Sequence, residues 1–184
     1  MYVANCISLL KAVAGVLNPI AAAYVGVYAP ILLFLISLLV LRNMPNYLYY
    51  FVFGFIVNNV LNVCLKLAIK DARPLEDQKA IEIAVVHGQR IGFDKFGMPS
   101  GHAQNCGYCL SFVVAALNSP GLCALYSVIT LATLLQRYMY RNHTAMQLVV
   151  GVLIGLGMGY YFYCLGNDCI TGNKAIKKDD FGPP

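Results

Sequence analysis

The chain has 184 residues, 59% of them hydrophobic and only 11% charged, and a mean hydropathy of +0.66. A soluble domain of this size does not carry so apolar a composition. The net charge of +5 is not a basic surface: residues 1–65 hold only Lys11 and Arg42, residues 66–95 hold eleven charges of mixed sign, and 96–136 and 142–167 hold none, which excludes a disordered tail protein and a phosphate-tracking patch for DNA or RNA.

Taken in chain order, six segments approach the roughly 20 apolar residues that a membrane crossing needs. They are 5–24, 27–42, 46–69, 102–118, 121–136 and 144–165, predicting an all-α integral membrane bundle of six transmembrane helices. No basic region or small-residue cleavage pattern marks the first run as a removable signal, so it is expected to stay as a helix. Tight turns are expected at Tyr28 to Pro30, Arg42 to Asn46 and Asn118 to Gly121, each holding a proline. The connection from Lys70 to Pro99 is far longer, and such connections are uncommon unless functional. A short polar tail covers 166–184, and residues 1–184 form a single domain. Of the seven cysteines, Cys6, Cys64, Cys106, Cys109, Cys123 and Cys164 lie in or beside apolar runs and read as small buried hydrophobes. Only Cys169 does not, and the Cys106-x-x-Cys109 spacing lacks a redox or metal context.

If all six segments cross, the long loop and the 137–143 loop emerge on one face. Asn58, Asn62 and Lys66 follow at helical spacing and form a polar stripe that must face the bundle interior or water. Pro74 disfavours helical geometry in the residue before it, so the helix should stop near Ala72 and turn Arg73 outward. Ser100 is a candidate N-cap for the next helix, whose free amides form an anion site that Gly101 would leave open to a phosphate. His102 follows directly. Arg137 and His143 lie in the second loop, with Gln147 one turn below the histidine. Each piece alone has an ordinary reading: a snorkelling lysine, a plain helix start, an interfacial histidine. His87, within the long loop, reads as a solvated residue. No acidic or His/Cys set has metal spacing, so the chemistry is expected to need neither metal nor cofactor.

In this order, Lys66-x6-Arg73-Pro74, Pro99-Ser100-Gly101-His102 and Arg137-x5-His143 resemble the three signature motifs of the type 2 phosphatidic acid phosphatase superfamily. The resemblance covers residues 66–147 and the six-span layout. Two positions depart from it: Gln136 stands where that superfamily mostly has serine, and Gln147 where it has aspartate. His143-Thr144-Ala145-Met146-Gln147, and Met98-Pro99-Ser100 followed by His102 and Gln104, resemble instead the dolichyl diphosphate phosphatase branch, from which Gly101 and Ala103 differ. The resemblance implies a lipid phosphatase with its site at one membrane face. His143 would be the nucleophile that forms a phosphohistidine, His102 the general acid, and Gln147 the group orienting His143. Lys66, Arg73, Ser100, Gly101 and Arg137 would bind the phosphate. Dolichyl diphosphate is the first substrate implied, with an endoplasmic reticulum membrane and a lumenal site. Phosphatidic acid, undecaprenyl diphosphate and other phospholipids stay open, as does a catalytically silent lipid-binding scaffold. A channel fits less well, because the polar residues gather at one interface and not along a midplane path. Lys174, Lys177 and Lys178 lie on the face opposite the site, where the positive-inside bias favours cytoplasm.

Overall fold

The computed structural model describes residues 19–74, 85–86, 89–90 and 92–179. His87 and most of the loop around it, and most of the expected first span, lie outside the described residues. Among the described residues five helices follow in order: α1 (Pro19–Leu41), α2 (Pro45–Ile69), α3 (Gly101–Leu117), α4 (Pro120–Met139) and α5 (Ala145–Asp179). Between α2 and α3 sit an antiparallel pair of two-residue strands, β1 (Val85–Val86) and β2 (Gln89–Arg90), in register Val85 to Arg90, and a 3-10 turn over Gly92–Lys95. Pro45 and Pro120 open α2 and α4 at the first turn, where a missing N–H removes no helical bond.

The chain is an all-α membrane bundle with its polarity turned inward. Tyr49, Ile56, Val128, Leu131, Met146 and Leu153 project outward, while Ser37, Asn58, Asn62, Gln104, Thr130, Thr133 and Gln136 are buried between helices. Lipid cannot hydrogen-bond, so polar side chains gain only by meeting each other inside. Among the described residues three helices, Pro45–Ile69, Pro120–Met139 and Ala145–Ile170, are long and apolar enough to cross a bilayer, and Gly26–Leu41 is a shorter apolar helix.

Several expectations are corrected. No turn interrupts residues 28–30: α1 runs through Pro30, because membrane helices tolerate proline where neighbouring groups can take up the freed backbone. The helix of the third expected span ends at Ile69, where its apolar run 46–69 does, and not at the stop near Ala72 read from Pro74, because Lys70 closes it in the left-handed conformation, φ 51°. Arg137 belongs to the last turn of α4, not to the loop. Residues 166–179 continue α5 and do not form a separate tail. Among the cysteines described, only Cys106 and Cys109 are buried; Cys64 and Cys169 are exposed, since a small apolar side chain is equally at home against lipid.

What aligns the site is the packing of α3 on α5. Gly151, Gly155 and Gly159 recur every fourth residue of α5, so one face has no side chains and lets α3 approach to backbone contact. A Cβ at Gly151 would lie 2.7 Å from the Ser100 carbonyl oxygen. Gly157, two residues from the middle of the stripe, has nothing within 4 Å. Gly155→Val is therefore expected to lower the unfolding temperature in detergent by about 5 °C or more, while Gly157→Val leaves it nearly unchanged. Equal effects of the two would remove the stripe as the basis of the packing.

Candidate active site

The C-terminal end of α2, the N-terminal ends of α3 and α5 and the C-terminal end of α4 meet on one face, as the alternation of antiparallel helices requires. On α2, Phe51, Gly54, Asn58, Asn62 and Lys66 make one buried stripe. Its polar half meets α3: Asn62 donates to the Pro99 carbonyl at 3.2 Å and to Gln104 Oε1 at 2.7 Å, and Gln104 donates to Asn58 Oδ1 at 2.8 Å. These bonds fix the Pro99-Ser100 entry to α3 against α2.

Beyond α2 the chain turns, and Ala72 pairs with Phe96 in an antiparallel bridge while the Gly97 amide donates to the Asp71 carbonyl at 2.8 Å. Arg73 lies outside the helix, as Pro74 requires, yet its side chain is buried. It donates through Nε to the Asp94 carbonyl at 3.0 Å, through NH2 to Asp94 Oδ1 at 2.7 Å, and through NH1 to the Asn142 carbonyl at 3.0 Å. Lys66 reaches the same carboxylate oxygen at 3.3 Å. Asp94, in the 3-10 turn, thus joins the two cations.

The same Arg73 NH1 lies 3.0 Å from His143 Nε2. A guanidinium only donates, so Nε2 presents its lone pair and the ring proton sits on Nδ1. Nδ1 has two acceptors to receive it, the Gly97 carbonyl at 3.0 Å and Gln147 Oε1 at 3.2 Å. Gln147 Oε1 also accepts the Thr144 amide at 3.1 Å, while Gln147 Nε2 donates to Asp71 Oδ2 at 2.7 Å and to the Ala72 carbonyl at 2.8 Å. A Cβ on residue 97 would lie 2.5 Å from the Gln147 amide, so only glycine lets the backbone cross here. Burial, then Arg73, Arg137, Lys66 and His102, hold the His143 imidazole well below its ordinary pKa. The ring is a neutral base with its lone pair toward the cations.

His102, in the first turn of α3, faces the same cluster from the other side: its Nε2 lies against the Arg137 guanidinium and 3.1 Å from the Val27 carbonyl of α1. Ser100 occupies the N-cap position of α3 but its hydroxyl makes no capping bond. That hydroxyl is buried without a hydrogen-bond partner, and the Ser100 amide donates to the Gln147 carbonyl at 3.1 Å. Gly101 does not open onto the cluster through its missing side chain, because a Cβ there would meet Asn62 Oδ1 at 3.3 Å. The fold therefore brings Lys66, Arg73, Arg137, His102, His143 and Gln147 together, with Ser100 tied to Gln147 through its backbone. Sequence reasoning missed Asp71, Asp94, Gly97 and Val27. Among the described residues no three His, Cys, Asp or Glu side chains converge as a metal site would need. An apolar groove of about 350 Å³ opens beside the site between α4 and α5, lined among others by Leu135, Tyr138, Ala145, Leu148, Val149 and Leu153.

Residues 47–170 match the family described as PAP2 superfamily. The chain is 27% identical over 125 residues to a Schizosaccharomyces pombe protein named palmitoyl-protein thioesterase-dolichyl pyrophosphate phosphatase fusion 1. The aligned part is 61% of this chain but only 18% of that relative's length. No solved structure matches.

The tautomer is directly observable. In histidine-labelled protein in detergent, the 15N spectrum of His143 should show a neutral ring protonated on Nδ1 from pH 8 to pH 6. A ring that charges near its usual 6.5, or that carries its proton on Nε2, would contradict the geometry. Gln147→Leu should lower stability by about 2 kcal/mol or more, because the Thr144 amide, the Asp71 carboxylate and the Ala72 carbonyl each lose a buried partner; an unchanged unfolding curve would contradict the bonding described.

Proposed function

This chain belongs to the PAP2 superfamily, and we propose from that premise that it is a lipid phosphatase that removes phosphate from a lipid diphosphate by way of a phosphohistidine. The observation that carries the reading is the His143 ring, neutral, protonated on Nδ1, and aiming the Nε2 lone pair at Arg73 among buried cations.

A phosphoryl group in transfer needs its negative charge matched and its attacking and leaving atoms in line. Arg73 and Arg137 offer planar forks that clasp phosphate oxygens in pairs, and Lys66 adds a third cation. The amides at the start of α3 and the Ser100 hydroxyl complete the seat. His143 Nε2 forms the bond to phosphorus, the bond from phosphorus to the bridging oxygen breaks, and His102 gives that oxygen its proton. The lipid monophosphate leaves. His102, now neutral, takes a proton from water, and the hydroxide replaces His143 on phosphorus to release inorganic phosphate. Neither step calls for a metal.

The name of the fission-yeast relative and the His143 to Gln147 pattern support dolichyl diphosphate as the substrate. Its hydrocarbon chain would lie in the groove between α4 and α5, which begins at the two ends of the loop holding His143 and opens to the lipid. Lys174, Lys177 and Lys178 belong to the last turns of α5, at the end that points away from the site, so the positive-inside bias favours a lumenal site in an endoplasmic reticulum membrane.

Purified protein in detergent should release phosphate from dolichyl diphosphate faster than from phosphatidic acid, with chelator present. No release from either substrate would sink the reading, and inhibition by chelator reversed by magnesium would sink the metal-free mechanism. His143→Ala should abolish acid-labile labelling of the protein. His102→Ala should still label from a substrate with a good leaving group, since losing the acid hinders departure more than attack. Equal loss in both would mean direct attack by water. Val149→Trp, which fills the groove, should raise KM for long-chain isoprenoid diphosphates several-fold and leave a short-chain one unaffected; equal KM changes would place the chain elsewhere.

A further inference from the structure

We infer that Asp71 is a positioning residue for the nucleophile: through the Gln147 amide its carboxylate holds His143 in the attacking tautomer and supplies the negative charge that residue 147 itself lacks. The inference rests on reading His143 as the nucleophile.

The Gln147 amide has two donors and an oxygen with two lone pairs, and all four are engaged: Asp71 Oδ2 and the Ala72 carbonyl on one side, the Thr144 amide and His143 Nδ1 on the other. Turned over, the amide would aim its NH2 at two N–H groups and its oxygen at a carboxylate and a carbonyl. Asp71 and Ala72, together with the Thr144 amide, therefore decide which end of Gln147 meets His143. Since Gln147 then offers only an acceptor, the imidazole must place its proton on Nδ1 and its lone pair on Nε2. Donation to an anion also polarises the amide, so Oε1 carries more negative charge than that of a free glutamine.

The charged groups facing His143 explain why this matters. Lys66 from α2, Arg73 from the segment after it, Arg137 from α4 and His102 from α3 all oppose a positive charge on the ring. Asp94 is drawn to Lys66 and Arg73 on the Nε2 side. When phosphorus bonds to Nε2 the ring becomes cationic with its proton still on Nδ1, and Asp71 lies one amide away on that side. No proton moves along this chain of bonds, and the effect is orientation and charge alone.

Asp71→Asn separates the two roles. The introduced amide can still accept from Gln147 through its oxygen, so a purely structural role leaves catalysis as in wild type. If the charge and its direction matter, kcat falls about tenfold or more with KM within about twofold. The acid-side limb of kcat/KM then moves to lower pH, because removing an anion makes His143 harder to protonate. The charge-moved variant, Asp71→Asn with Gln147→Glu, puts the carboxylate against the ring and lets the amide introduced at position 71 donate to it. That variant should exceed Asp71→Asn in kcat and shift the limb above wild type. Wild-type kcat and an unmoved limb in Asp71→Asn would overturn the inference, as would a charge-moved variant with the limb of Asp71→Asn. If wild type released no phosphate at all, the phosphatase reading would fail by itself. The 15N tautomer of His143 in Asp71→Asn would still decide about Asp71, a ring with part of its proton on Nε2 supporting the inference and a ring unchanged from wild type overturning it.

Discussion

The side chain of Gln147 is the joint on which the site depends. Its amide ties the first turn of α5 to Asp71 and Ala72 beyond α2 and to His143 and Thr144 before α5. Its backbone carbonyl takes the Ser100 amide at the entry to α3. Three stretches far apart in sequence are thereby held by one residue, within the fractions of an ångström that transfer chemistry requires. Gly97 is part of the same joint, since any larger residue there would displace the amide.

Around the joint, electrostatics and the membrane work against each other. The side chains of Lys66, Arg73 and Arg137 are all buried, and taking a charge out of water costs several kcal/mol that only close partners offset. Asp94 offsets part of it by serving two of the three cations. The cluster remains positive overall, as the proposed seat for phosphate must. Below it the charges give way to neutral amides, Asn58, Asn62, Gln104 and Asn105, each bonded across the interface between α2 and α3. Amides can be fully satisfied pairwise inside lipid where charges cannot, so the change from cations to amides along α2 follows the depth from the membrane face.

Hydropathy and helical spacing made much of this legible. The stripe Asn58, Asn62, Lys66 faces inward as its spacing requires, and Arg73 lies outside the helix as read, although it is Lys70 and not Pro74 that closes it. The errors lie where a local rule met a long-range partner. Pro30 reads as a turn, but a helix held among neighbours keeps its direction. Ser100 reads as a side-chain cap, yet it is its backbone amide that is held, by the Gln147 carbonyl, and its hydroxyl caps nothing. Asp71 and Asp94 stood among eleven charges in one block, and nothing local separates a residue that meets Gln147, 76 positions away, from one that meets water. The glycines 151, 155 and 159 were in plain view, and their period of four was the missed signal.

The mechanism proposed needs one histidine neutral and the other charged, and the surroundings of the two differ. His143 has its proton fixed on Nδ1 by two acceptors, leaving Nε2 free of it. At His102 the same nitrogen meets two partners with opposite demands: the Val27 carbonyl accepts a proton from it, whereas the Arg137 guanidinium needs its lone pair. Proton occupancy at Nε2 therefore decides which partner His102 keeps. A phosphate drawing Arg137 toward its oxygens would remove the group that competes for the lone pair and bring a negative charge beside the ring, both of which favour a proton on His102. In the mechanism proposed, phosphate binding would thus charge His102 in the same event that gives His143 its target, while the Val27 carbonyl of α1 holds the His102 ring in place.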